Sequence, residues 1–144
     1  MEKKKFKILL IEDEPNYHFR LINNLKKIEN YEIDLAVSVN AIKNRLERGI
    51  KYDLIIFDIM MNPGDYQLAQ TGEGTKTGWS IYNDEKLNMK NLDTKIIIWT
   101  RNNDIKNENW GENIKEIIIK DGNDDNQLVR IAKKALENKI DIEN

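Results

Sequence analysis

Four short apolar runs punctuate the chain: Ile8–Ile11, Leu54–Phe57, Ile96–Trp99 and Ile117–Ile119. They are rich in isoleucine and do not alternate with polar residues, as expected of strands covered on both faces. Between them the apolar spacing turns helical. Residues Pro15 to Asn30 place Phe19, Ile22, Leu25 and Ile28 on one stripe, with Pro15 acceptable in the first turn. From Asn40 to Gly49, Ala41, Ile42, Arg45 and Leu46 lie between a cap-competent Asn and a terminating Gly. Asp125 to Lys139 repeats the pattern with Leu128, Ile131, Ala132, Ala135 and Leu136. Strand and helix thus alternate about five times, which predicts a doubly wound α/β fold: a five-stranded parallel sheet in three αβα layers, with the flavodoxin-like strand order 2-1-3-4-5.

Two stretches depart from this rhythm. Asn62 to Gly78 holds four of the seven glycines and one of the two prolines without an apolar period, and reads as an inserted loop beside the sheet edge, in the place of a lid. Arg101 to Asn113 is dominated by asparagine and charge, with Ile105 and Trp110 as its large apolar anchors, so a helix there should be weak or irregular.

Every apolar run ends on chemistry. The first leads into Glu12-Asp13, the second into Asp58, the third into Thr100 and the fourth into Lys120. In a parallel α/β sheet the C-terminal strand edges converge on one crevice, so residues far apart in sequence can share a pocket. Three carboxylates gathered there would repel one another unless protons or a divalent cation intervened, and their hard oxygen ligands suit Mg²⁺ or Mn²⁺.

Composition narrows the picture further. A chain of 144 residues is one domain's worth, 1–144, able to bury roughly 68 to 70% of its unfolded surface. The formal charge of −2 favours neither a polyanion nor an anionic membrane. No cysteine is present, which excludes disulfides and thiol catalysis. The basic start precedes an apolar stretch too short for a signal sequence or a membrane span, so a cytoplasmic protein without membrane insertion is expected.

The acids, hydroxyl and lysine, in this order, resemble the response-regulator receiver domain of two-component signalling over nearly the whole chain. KILLIEDEP, from Lys7, is similar to the family's first strand and acidic pair. DLIIFDIMMNPG, from Asp53, is similar to its phosphoacceptor strand and following loop, and IIIWT and IIIKD stand in its hydroxyl and lysine positions. The resemblance implies that Asp58 accepts a phosphoryl group from a histidine kinase or phosphotransfer protein. It also implies a Mg²⁺ or Mn²⁺ held by Glu12, Asp13, Asp58 and the backbone carbonyl of Met60, with Thr100 and Lys120 contacting the phosphoryl group. Such a protein modifies itself and is not otherwise an enzyme. Output would pass by contact with a downstream protein target, from a monomer or weak homodimer, with no direct contact to nucleic acid.

The spacing is compatible. Asp13 and Asp58 are 45 residues apart and Thr100 and Lys120 are 20 apart, ordinary intervals for this topology. Asp58 to Thr100 is 42 residues, about a dozen beyond the family interval, and the loop at 62–78 can hold the excess. Three positions depart from the family pattern: Asp121 replaces the proline after the lysine, Arg101 replaces a small residue after the hydroxyl, and Ile117 replaces the aromatic switch residue. These leave open a pseudo-receiver, a phosphorylation-independent interaction module with the same fold.

Simpler readings apply elsewhere. Gly72 to Gly78 lacks a leading strand and the spacing of a phosphate-binding loop. His18 is the single histidine and reads as a structural residue. A metal-dependent phosphatase is disfavoured because Asp58-Ile59-Met60 has no second acid two residues on.

Overall fold

The computed structural model describes residues 5–28, 31–120 and 125–143. Five strands, β1 (Phe6–Ile11), β2 (Tyr31–Ala36), β3 (Leu54–Phe57), β4 (Lys95–Thr100) and β5 (Ile114–Ile119), form one sheet in the order β2-β1-β3-β4-β5. Every pairing is parallel. This is the doubly wound flavodoxin-like arrangement that the apolar runs predict. Helices α1 (Pro15–Ile28), α2 (Val39–Glu47), α3 (Thr77–Tyr82) and α4 (Asp125–Glu143) cover its two faces.

The pleat sorts the core. Leu9, Ile11, Ile55, Phe57, Ile96 and Ile98 point into one apolar cluster with Val39 and Ile42 of α2 and Ile81 and Tyr82 of α3. Their neighbours Ile8, Leu10, Leu54, Ile56, Ile97 and Trp99 point the other way, against Leu21 and Leu25 of α1 and Leu128, Ala132 and Leu136 of α4. The period-2 alternation of side chains therefore supplies two dry interfaces from continuous apolar strands.

Two local expectations are corrected and a third holds. On α1 the expected Leu25 is buried and Ile22 packs against the same cluster, but Phe19 is 64% exposed and Leu21 is buried in its stead; residue 19 lies roughly 200° around the helix from Leu21, so the two cannot both face the sheet. Ile28 lies in α1, but its side chain, like that of His18, is outside the described ones. Helix α2 is capped two residues earlier than Asn40: Ser38 is the cap, its hydroxyl accepting the Ala41 N–H at 3.1 Å. The β4–β5 connection forms only a short 3₁₀ helix, Asn103–Asn107, pinned by buried Ile105, which is the weak, irregular helix expected of its asparagine-rich sequence and leaves four α-helices among the described residues.

The inserted loop is shorter and better tied than its composition suggests. It ends at Lys76, since Thr77 and Gly78 open α3. The Met61 N–H donates to the Gly74 carbonyl at 3.1 Å, the Thr77 hydroxyl to the Met61 carbonyl at 2.6 Å, and the Gly78 N–H to the Ile59 carbonyl at 2.9 Å. Gly78 lets α3 approach this closely. A Cβ there would stand 2.7 Å from Ile59 Cδ1, 2.8 Å from Ile59 Cα and 2.9 Å from Phe57 Cε1. Gly78→Ala is therefore expected to destabilise the protein by about 1–3 kcal/mol, as overpacking does, read as a lower urea midpoint.

Candidate functional site

The sheet delivers the acids to one rim. Ile11 and Phe57 are the last paired residues of β1 and β3, and the ladder continues when the Asp58 N–H donates to the Ile11 carbonyl at 3.0 Å. Glu12 is fixed from the other side, its N–H donating to the Ala36 carbonyl at 3.2 Å. Across the sheet Thr100 pairs with Ile119, and the Lys120 N–H donates to the Thr100 carbonyl at 2.8 Å. Strand register thus sets the backbone positions of Glu12, Asp58, Thr100 and Lys120.

The side chains meet in a cleft of about 130 Å³ lined by Glu12, Asp13, Glu14, Asp58, Met60, Arg101 and Lys120. The Lys120 ammonium donates to Glu12 Oε2 and, at 3.1 Å, to Asp58 Oδ2. All three side chains are at most 5% exposed, so this is a buried ion cluster. Backbone amides satisfy further oxygens: Asp58 Oδ1 accepts from Met60 at 3.1 Å, Glu12 Oε1 from Glu14 at 3.0 Å and Asp13 Oδ2 from Asn62 at 3.3 Å.

One lysine does not balance this charge. Burial first, and then the neighbouring Asp58 charge, push the Glu12 carboxyl up to about 7. Burial also raises Asp13, against the lowering effect of the Asn62 N–H. Glu12, Asp13 and Asp58 each bring an oxygen within 4.8 Å of the others. A small divalent cation that takes oxygen ligands at roughly 2.0–2.1 Å fits this donor set, and the Lys120 ammonium supplies part of the positive charge the site demands.

Thr100 is fully buried at the end of β4. Its hydroxyl accepts the Asn102 N–H at 3.4 Å, and it is not among the residues that line the cleft, whereas Arg101, exposed, forms part of the wall. Ile117 is half-buried against the α2–α3 core, and Asp121 lies outside the described residues. No residue from 63 to 78 lines the cleft, so the loop is not a lid in this structure. It runs toward α2 and α3, where Gly64 packs on Val39 and the Tyr66 hydroxyl donates to Asp84 at 2.7 Å. Two contributors went unnoticed in the sequence: Glu14, whose position beside the acidic pair was its one signal, and the Asn62 amide, which gave none.

No family model matches the chain, and no curated protein matches it by sequence. Solved structures do. The response regulator protein TrrA from Thermotoga maritima, in complex with Mg²⁺ and BeF, is 30% identical over 91% of this chain and 99% of its own, with a TM-score of 0.63. TrrA bound to the histidine kinase ThkA matches at 29% identity over 91% and 98% of the two chains, with a TM-score of 0.59. The receiver domain of the Francisella response regulator 1452 shares the fold at 16% identity, covering 93% and 98%, with a TM-score of 0.63. With the parallel sheet and its acidic rim, these matches establish that the chain belongs to the response-regulator receiver family.

The raised Glu12 has a thermodynamic consequence. Between the unfolded value near 4.5 and the folded value near 7 the folded protein holds more protons, so this stabilisation is complete below about 4.5 and is lost as pH rises through about 7. Urea midpoints of metal-free protein should therefore fall between about pH 5 and about pH 8. Glu12→Gln should show a smaller fall, and saturating Mg²⁺ should restore most of the wild-type loss at the upper end.

Proposed function

We propose that this receiver is a phosphoacceptor, taking a phosphoryl group onto Asp58 from a phosphohistidine of a kinase or phosphotransfer protein with Mg²⁺ or Mn²⁺ bound. The observation that carries the reading is the Lys120 ammonium bridging buried Glu12 and Asp58 at the rim where Asp13 completes a trio of carboxylates.

The chemistry follows from this arrangement. An Asp58 carboxylate oxygen attacks phosphorus, the donor's N–P bond breaks, and the imidazole nitrogen keeps the bonding pair and takes a proton from solvent. The attacking group needs no general base. Glu12, Asp13, Asp58 and the Met60 carbonyl would hold the divalent ion, which when bound neutralises charge on the phosphoryl oxygens. Lys120, 3.1 Å from Asp58 Oδ2, is placed to follow an oxygen of the transferred group. Its ammonium then stabilises charge that develops in transfer, the larger part of what this reaction asks of a protein.

Thr100 would donate its hydroxyl hydrogen to the phosphoryl group, and any turn of the hydroxyl toward that group would move the oxygen that accepts the Asn102 N–H. Such a movement reaches the inserted loop directly, because the Asn102 side chain donates to the Thr75 carbonyl at 2.9 Å. A charge at Asp58 thereby biases the β4–β5 connection and the loop together. Output is by protein contact, the chain acts on no separate substrate, and the cytoplasm suits its partners; no helix among the described residues is long and apolar enough to cross a membrane.

Incubation with acetyl phosphate and Mg²⁺ should add the mass of one phosphoryl group, and Asp58→Asn should abolish the addition. Lys120→Met should still bind Mg²⁺ in calorimetry yet be phosphorylated at least about a hundredfold more slowly, the loss typical of removing one electrostatic stabiliser. Mass addition surviving in Asp58→Asn would move the acceptor elsewhere. No addition to the wild-type protein would favour the phosphorylation-independent module.

A further inference from the structure

Lys120 has a third neighbour that none of the acids can replace. Its ammonium lies 4.5 Å from the centroid of the Trp99 ring, and the ring is 1% exposed in the core formed with α1 and α4. The contact is built into the sheet: Trp99 pairs with Ile118, and the bond from the Lys120 N–H to the Thr100 carbonyl holds the lysine one step beyond that ladder. The lysine side chain is only 3% exposed, so little water screens the attraction between its charge and the negative face of the indole.

The partners differ in permanence. Glu12 and Asp58 are the groups a divalent ion would claim, and a cation beside them repels an ammonium. When the carboxylates turn to a metal, Lys120 loses much of its attraction to the rim and still has to remain beside Asp58. The Trp99 face carries no formal charge to be neutralised, binds no metal and is locked by packing.

From this we infer that Trp99 is a positioning residue for phosphoryl transfer: its ring holds the Lys120 ammonium beside Asp58 when the carboxylates are engaged by metal. The inference rests on the reading of Asp58 as the acceptor.

The test alters the electrostatics of the ring at nearly constant shape. Tryptophans with one to four ring fluorines, which progressively cancel the negative face, are placed at position 99 of the full chain. Three quantities are read: Mg²⁺ affinity by calorimetry, the ¹⁵N shift of the Lys120 ammonium with Mg²⁺ and beryllofluoride, and the rate of phosphorylation by acetyl phosphate at saturating Mg²⁺. The rate should fall stepwise, by about tenfold in total, and the ammonium shift should move with it, while Mg²⁺ affinity stays within about twofold.

An unchanged rate across the series in a protein that is phosphorylated overturns the role of Trp99 alone. A metal affinity that falls in parallel with the rate also overturns it, because the ring would then only shape the carboxylate site. Wild-type protein that takes no phosphoryl group overturns the acceptor reading and this inference with it. If the heavily fluorinated ring prevents folding, Trp99→Phe, which keeps an aromatic face, should stay within about threefold of the wild-type rate and Trp99→Leu should lose about tenfold or more; equal losses in the two would overturn the role.

Discussion

The ion cluster of Lys120 with Glu12 and Asp58 is the constraint around which the rest of the rim is arranged. Removing charged groups from water is expensive, and a buried pair survives only if each member is compensated and its remaining oxygens are hydrogen-bonded. Here Lys120 supplies the opposing charge, and the backbone meets the second requirement. The Met60 and Glu14 amides satisfy the second oxygens of Asp58 and Glu12, and both amides come from the turns that follow the strands. The same turns that end the sheet therefore support its charge. Compensation is incomplete, as the raised Glu12 shows, and that deficit is the physical reason the site suits an additional cation.

The inserted loop shows how added chain can be accommodated without disturbing such a site. Its two ends are tied together through the Met61, Gly74 and Thr77 bonds immediately beyond β3. The residues between can then project toward α2 without displacing Asp58. Lys43 stands 4.6 Å from the Tyr66 ring centroid, and Lys76 pairs with Glu108 at 3.0 Å. These surface contacts each contribute little, but they give the loop a defined path. The long interval between Asp58 and Thr100 thus has a local cause and leaves the strand register intact.

Much of this was legible from the chain because the chemical residues end the apolar runs. Strand ends of a parallel sheet are brought together by topology, so finding Glu12-Asp13, Asp58, Thr100 and Lys120 in those places was nearly a statement about space. What remained hidden depends on phase or on long-range contact. Apolar spacing showed that α1 is amphipathic and put Leu25 and Ile22 on its buried face, but it placed Phe19 there and missed Leu21, because the burial of a position at the edge of a stripe depends on how the helix is rotated on the sheet. Asn40 reads as the cap of α2 because its side chain suits the role, but Ser38, two residues earlier, is the residue whose hydroxyl accepts the Ala41 N–H. The loop's restraints are backbone hydrogen bonds together with long-range contacts of Thr77, Tyr66 and Lys76 side chains, whose partners the local sequence does not identify. The contact of Trp99 with Lys120 joins adjacent strands across a connection whose path the sequence leaves undefined.

That connection raises the question of how a parallel crossover holds with only a five-residue 3₁₀ helix. Its asparagine-rich sequence has poor helix propensity, so the covering of the sheet has to come from elsewhere. Aromatic packing supplies it. Trp110 meets Trp79 edge-on at 4.6 Å and Tyr82 at 5.0 Å, joining the connection to α3, while its indole N–H donates to the Ile105 carbonyl at 2.8 Å. The Tyr82 hydroxyl donates to Asn113 Oδ1 at 2.6 Å and accepts the Gly111 N–H at 3.1 Å. A Cβ on Gly111 would sit 2.6 Å from that hydroxyl oxygen, so a glycine is what admits the bond. The start of β5 is thereby fixed by side chains of α3, and the position of Lys120 at its far end depends on aromatic contacts made on the opposite side of the connection from the acids it serves.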